Sequence, residues 1–277
     1  MHTTTRQKIG IIVAEIFMIV LCLVMAFPFY WMLISSFKPV GRIFTDPIVL
    51  LPTPFTTDSY FKLLTETAFP RWYLNSLIFA VFYPCLAIFF STLAGFGFAK
   101  YYFKGRNVLM MIVLFSMMIP LHAVMIPLFM LLIKIKWVNT YWGVIIPFAA
   151  NPFGIFFVRQ YLASVPTDLI YAGRIDGCSE FGLYARIMLP LMKPAIGVLV
   201  IYFAMISWNW FLWPLVVMRE GSMFPLNVGI AAFVSDYRIL YDQLMAAAVL
   251  CTLPLVILFL RMQKQFISGL TAGAVKQ

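Results

Sequence analysis

This chain reads as an all-α membrane protein with six spanning helices, and three observations carry that expectation. Of its 277 residues, 63% are hydrophobic and only 11% are charged, with a mean hydropathy of +0.96. A soluble fold built from that composition would lack the polar residues to cover its surface. Six apolar blocks each approach the roughly 20 residues that cross a bilayer as a helix. Prolines inside those blocks, at Pro28, Pro84, Pro120, Pro127, Pro147 and Pro214, point to kinked, closely packed helices. Each proline removes a backbone donor, and the freed carbonyl must be satisfied by a neighbouring helix, a side chain or water.

The blocks cover residues 9–34, 73–99, 108–133, 141–158, 195–218 and 244–260, and residues 1–277 are read as a single transmembrane domain. The first block closes on the aromatic belt Phe27-Pro28-Phe29-Tyr30-Trp31 with no small-residue cleavage site after its apolar core, so it is expected to stay as a helix rather than leave as a signal peptide. With the N-terminus inside, twelve Lys and Arg fall on the inner side of six alternating spans and eight on the outer side. The richer side is expected to be cytoplasmic, which places both termini and the polar segment 159–194 there. The outer segment 37–72 holds Pro39, Pro47, Pro52, Pro54 and Pro70, which suits an ordered surface loop better than another helix.

Several function classes drop out. The net charge of +10 is spread between apolar blocks instead of forming a basic stripe interleaved with exposed aromatics, which argues against a nucleic-acid partner. Cys22, Cys85 and Cys251 sit inside apolar blocks and Cys178 in the polar segment, so no disulfide framework is expected. The chain has no G-x-x-x-x-G-K-[ST], no HExxH, no paired CxxC and no Ser-His-Asp set, so it is expected to be non-catalytic and to hold neither nucleotide nor metal. Any energy must come from another subunit. Within the spans, Glu15 lies near the cytoplasmic end of the first helix, where it can snorkel. His122 follows Pro120; it is either a neutral side chain bonded to a carbonyl freed by that proline or part of a polar path.

The longest polar interruption in the second half of the chain is 165–194. Pro166 pre-sets a helical φ, Ser164 can accept from first-turn amides and Asp168 complements the positive end, predicting a short helix from about Thr167 to Asp176. Gly177 permits the left-handed conformation that ends it. Ser179 and Glu180 suit a second first turn, and that helix should run to Leu189 before Pro190 and Pro194 end it. Ala172 and Gly173 would expose bare backbone to another protein, flanked by Leu169 and Tyr171 as apolar knobs. An amphipathic connector packed on its own protein has the same pattern.

The segment resembles the cytoplasmic EAA signature of permease subunits from binding-protein-dependent ABC importers, on Tyr171-Ala172-Gly173, Arg174, Ile175-Asp176-Gly177, Phe181, Ile187, Leu189-Pro190 and Pro194. Tyr30-Trp31, Ser36-Phe37-Lys38, Asn75-Ser76, Phe103-Lys104-Gly105-Arg106, Met118-Ile119-Pro120, Ile126-Pro127-Leu128, Asn139-Thr140-Tyr141, Trp208-Asn209 and Gly269-Leu270-Thr271-Ala272-Gly273 extend the likeness to the carbohydrate-uptake group and its maltose-type second permease. The resemblance implies the type I importer permease fold in a bacterial or archaeal cytoplasmic membrane. Its implied partners are a homologous second permease, two ATPase subunits carrying ATP and Mg, an extracytoplasmic solute-binding protein, a sugar substrate and membrane lipid. It also implies an ATPase-coupling set of Asp168, Leu169, Tyr171, Ala172, Gly173, Arg174, Asp176 and Gly177, and a tail from residue 269 that reaches the ATPase. Where the family has the first glutamate of the triplet this chain has Tyr171, and it has Gly173 at the third position. The family's ion pair therefore does not carry over; Asp168 replaces it, or docking is apolar around Leu169 and Tyr171.

Trp208, Asn209, Trp210 and Trp213, with His122, are the substrate-pathway candidates, because sugars are held by aromatic faces and amides. Interhelical packing, with Asn209 as a hydrogen-bond clamp, uses the same residues. Two other classes remain open at this point: a stand-alone homo-oligomeric channel or facilitator for a small neutral solute, and a membrane enzyme acting on lipid-linked sugar.

Overall fold

A computed structural model describes residues 5–45, 49–231, 233 and 240–274, with side chains described between 8 and 263. Two compact units make it up: Met1–Phe69 with Ile230–Leu253, and Pro70–Gly229 with Pro254–Gln277.

The first unit begins with α1 (Thr5–Ser35), which is continuous through Pro28. Side chains 8–30 are exposed all round this helix, and burial begins only at Ile34, Ser35 and Ser36. The chain then folds back on itself. Tyr30 donates its hydroxyl to the carbonyl of Leu50 at 2.6 Å, and Ser36 shares a 2.8 Å hydrogen bond with Tyr60. Phe37 stacks on Phe55 at 5.0 Å, and the Lys38 ammonium lies 4.6 Å above the Trp31 ring while donating to the Val49 carbonyl. These contacts give Ser36-Phe37-Lys38 a structural task. The proline-rich segment is not wholly a loop, as it contains α2 (Asp58–Thr65), whose Leu63 is buried.

In the second unit α3 (Phe69–Lys100) runs unbroken past Pro84, its first residue lying in the other unit. The third predicted span is two helices, α4 (Arg106–Ser116) and α5 (Leu121–Lys134), which meet at 102°. Pro120 accounts for the break. It stands extended at ψ 140°, it disfavours helix at Ile119, and three tight i→i−3 bonds close the end of α4. The fourth span restarts as well: α6 (Tyr141–Ala149) is capped by Thr140, and α7 (Pro152–Ala163) by Asn151 with Pro152 in its first turn. Gly154 on α7 lets that helix lie against α3 and the later helix that carries Phe203, since a Cβ there would stand 2.2 Å from the Ser91 oxygen and 2.9 Å from Phe203.

The insert contributes α8 (Asp168–Ile175) and α9 (Glu180–Leu191), and α10 (Lys193–Trp208) follows at 77° to α9. The fifth predicted span also breaks, at residues 209–211, before α11 (Leu212–Val217). Carried through without a break, the helix would drive the Pro214 ring into the carbonyl of Trp210; a restart puts Pro214 in a first turn, where it costs nothing. Then come α12 (Leu226–Ala231) and α13 (Tyr241–Ala274), the latter continuous past Pro254. The tail expected to reach an ATPase is helical to Ala274, and residues 275–277 lie outside the described residues. Among the described residues, four helical stretches are long and apolar enough to cross a membrane, or six if each bent pair is one span.

Candidate functional site

The insert is built from its corner outward. Gly177 takes φ +78° and ends α8, and the Ser179 side chain accepts from the Gly182 amide to start α9. Ser164 does not cap α8; its hydroxyl donates to the Tyr161 carbonyl at 2.7 Å and closes α7. Pro190 does not end α9 either. Residues Leu183–Met188 widen into a π-helical turn, which moves aside the carbonyl that the Pro190 ring would strike in an α-helix. The bend comes at Met192, just ahead of Pro194.

An ionic clamp joins the two arms. The Arg174 guanidinium donates twice to the Glu180 carboxylate, at 2.8 and 3.1 Å, and the Tyr101 hydroxyl donates to the same carboxylate from just beyond α3. One helical face further along, Tyr184 shares a 2.9 Å hydrogen bond with Thr92 and packs on Phe96, both on α3. These bonds tie α8 to α9 and both to the end of α3. Hydrogen bonds from Arg174 first, then Tyr101, hold the Glu180 carboxyl below its ordinary range. Burial, then the Glu180 carboxylate, pushes the Tyr101 phenol up to about 12. Because the folded pKa of Glu180 is depressed, its stabilisation is present above the usual carboxylate range and is lost as pH falls through the folded value. The melting temperature of the purified chain is expected to fall more steeply below about pH 5 in the wild type than in Glu180→Gln. Identical profiles would remove the clamp.

Asp168, Tyr171, Ala172 and Ile175 follow the i, i+3, i+4, i+7 rule on the outward face of α8, and all four are exposed. Ile175 is 86% exposed and shares that face with Tyr171, while Leu169 and Phe181 are exposed apolar side chains elsewhere on the insert. Asp176 is exposed at the same end. Gly173 departs from expectation: it is buried and faces inward. A Cβ there would lie 2.5 Å from Leu183 and 2.6 Å from Ile187, so its bare backbone serves the contact between α8 and α9 and not a partner. Arg174 is likewise committed to the clamp.

Among the substrate-pathway candidates, Trp210 and Trp213 share one ring neighbour, Phe148. Trp208 is buried, edge-on to Tyr73, and its carbonyl accepts from the Asn227 amide at 3.0 Å. Asn209 is exposed and its amide donates to Met205 of its own helix at 2.8 Å, so it finishes α10 instead of clamping another helix. Trp210 is half-buried and packs with Phe79, Tyr83 and Phe148. Trp213 is buried, donating from Nε1 to the Gly143 carbonyl at 3.2 Å. His122 is exposed in the first turn of α5, away from any carbonyl freed by Pro120 among the described bonds.

Sequence reasoning overlooked a clasp that fixes residues 219–229. The Asn75 amide donates to the carbonyls of Ser222 and Phe224 at 2.8 and 2.9 Å, Trp72 Nε1 donates to Gly221, and the Ser76 hydroxyl accepts from the Leu226 amide. Tyr141 donates to Asn75 at 2.7 Å, and Asn139, at φ +58°, accepts from the amides of Arg219 and Glu220. Polar pairs such as Asn75-Ser76 at the start of an apolar run were the available signal.

Several helices long and apolar enough to cross a membrane, with an exposed two-helix insert between them, suit a membrane transport permease. The chain belongs to the family described as binding-protein-dependent transport system inner membrane component, which matches residues 87–271. It is 42% identical over 268 residues to the arabinooligosaccharides transport system permease protein AraQ of Bacillus subtilis (strain 168), covering 96% of this chain and 95% of that protein. It is 32% identical to the trehalose/maltose transport system permease protein MalG of Thermococcus litoralis, covering 100% of this chain and 99% of that one. The lactose transport system permease protein LacG of Rhizobium radiobacter is 30% identical and matches over 100% of both chains. The fold is shared with a chain in a crystal structure of a bacterial ABC transporter involved in the import of the acidic polysaccharide alginate, at a TM-score of 0.87 and 23% identity, covering 95% of this chain and 99% of that chain.

Proposed function

We propose that this chain is one of two permease subunits of an ATP-driven, binding-protein-dependent importer of a sugar or oligosaccharide, and that it forms half of the translocation pathway. Full-length likeness to AraQ, MalG and LacG carries the reading, since all three names specify carbohydrates. Arabinose-type oligosaccharides are the first substrates to test. Both termini and the insert face the cytoplasm in this reading, and all six spans work as one permease.

The insert then couples this chain to an ATPase. Exposed Tyr171 and Ile175 share the outward face of α8 and supply apolar surface for a groove, and with Arg174 held by Glu180 the docking is mainly apolar, with exposed Asp168 on the same face. Force applied to α8 reaches α3 through Glu180 to Tyr101 and through Tyr184 to Thr92. ATP and Mg belong to the ATPase subunits, and the residues here do no bond chemistry. Co-expression with a second permease, an ATPase and a solute-binding protein tests the reading. The expected result is a stable assembly whose ATP turnover rises when sugar-loaded binding protein is added. A homo-oligomer indifferent to the ATPase would point to a stand-alone channel instead.

A further inference from the structure

We infer that the turn between α3 and α4 binds the headgroup of an anionic phospholipid. Residues Tyr102, Phe103, Lys104, Gly105, Arg106, Asn107 and Val108 line an open recess of about 530 Å³. Two of the seven are cationic and none is acidic. The Arg106 guanidinium lies 4.9 Å over the Tyr102 ring, which orients the charge without neutralising it. Among the described residues the one ion pair is Arg174 with Glu180, so neither Lys104 nor Arg106 is committed to a carboxylate there. Gly105, at φ +85°, makes the sharp turn that seats both cations beside the start of α4.

The surroundings select a lipid over a soluble anion or an acidic protein face. The recess sits where two apolar helices end, and Tyr102 is 92% exposed and Phe103 43%, the arrangement of aromatics that settle at a membrane interface. Val108, Leu109 and Ile112 continue from it as exposed apolar side chains on α4. A free phosphate would use the cations alone, whereas a phospholipid uses both halves: its phosphate on Lys104 and Arg106, its glycerol and acyl chains along α4. The site rests on the inward orientation proposed above, since anionic lipid charge attracts basic segments at the cytoplasmic leaflet.

Native mass spectrometry of the purified full chain, titrated in mild detergent with dioleoyl phosphatidylglycerol or dioleoyl phosphatidylcholine, tests this. One phosphatidylglycerol is expected to be retained in preference to phosphatidylcholine. The double variant Lys104→Gln, Arg106→Gln is expected to weaken that binding by about tenfold or more, as two basic groups at an anionic surface imply. The exposed Lys104→Gln alone gives a folded reference with a smaller loss. Unchanged phosphatidylglycerol binding in the double variant, or release of the lipid by inorganic phosphate at equal concentration, would overturn the site, the latter in favour of a soluble anion. Orientation is read separately: in a chain with its four native cysteines replaced by serine or alanine, Lys104→Cys should react with an impermeant maleimide in inside-out vesicles and not in right-side-out ones. The opposite labelling would overturn the orientation alone, leaving the lipid titration to decide the site.

Discussion

Ile175→Glu is expected to strip the permease of its ATPase while leaving the chain folded. Ile175 is 86% exposed, so the free chain has no packing there to lose. If docking is apolar as proposed above, a groove closing over an unpaired carboxylate incurs a desolvation cost of about 2 kcal/mol or more, and each 1.4 kcal/mol is a factor of about ten in association. Co-purifying ATPase should therefore fall at least about tenfold, transport should drop to background, and the melting temperature should stay at the wild-type value. An Ile175→Glu chain that recovers its ATPase at wild-type level would show that docking lies elsewhere.

Gly143→Ala is expected to be severe for a single added methyl. Its Cβ would stand 2.2 Å from the carbonyl oxygen of Trp137, a backbone atom with no rotamer to turn aside. That carbonyl also accepts the Thr140 hydroxyl at 2.8 Å, and the turn is bound at both ends by left-handed residues, Lys136 and Asn139 at φ +58°. Gly143 in turn accepts the indole N–H of Trp213, so a displaced α6 would also disturb α11. Overpacking against a fixed backbone costs about 3 kcal/mol or more, a large share of the stability of any single fold. Yield of monodisperse chain and melting temperature should both fall sharply. Gly97→Ala, which meets nothing within 4 Å on α3, is the matched control and should behave as wild type. Equal behaviour of the two variants would mean that the turn at 137–143 is not built this way.

The features that local chemistry controls could be read from the sequence: the short helix α8, expected from about Thr167 and found from Asp168, the Gly177 corner, the Ser179 cap and the apolar core of each span. Features that depend on a neighbour could not. Gly173 has a bare face in any reading, but only packing decides whether α9 or another protein fills it, and Leu183 and Ile187 are there. Pro190 is a helix stop by propensity, and a π-helical turn absorbs it because Leu183, Tyr184 and Met188 are all buried on the inner face. The 102° turn at Pro120 and the restart ahead of Pro214 follow from proline sterics, yet hydropathy runs straight through both, so counting apolar residues merges what the backbone separates. Trp208 to Trp213 illustrate the same limit: the aromatic composition that suits a sugar equally suits a core.

The exposure of α1 on every side has a consequence for disposal of the chain. Between Lys8 and Lys38 its one charge is Glu15, and side chains 8–29 are exposed all round it, so its residence in the bilayer is expected to rest on partition of the helix itself. A failed chain such as Gly143→Ala should therefore stay in the membrane pellet after alkaline extraction, tethered by its first helix and presented to membrane-bound proteases instead of being released to those of the cytosol.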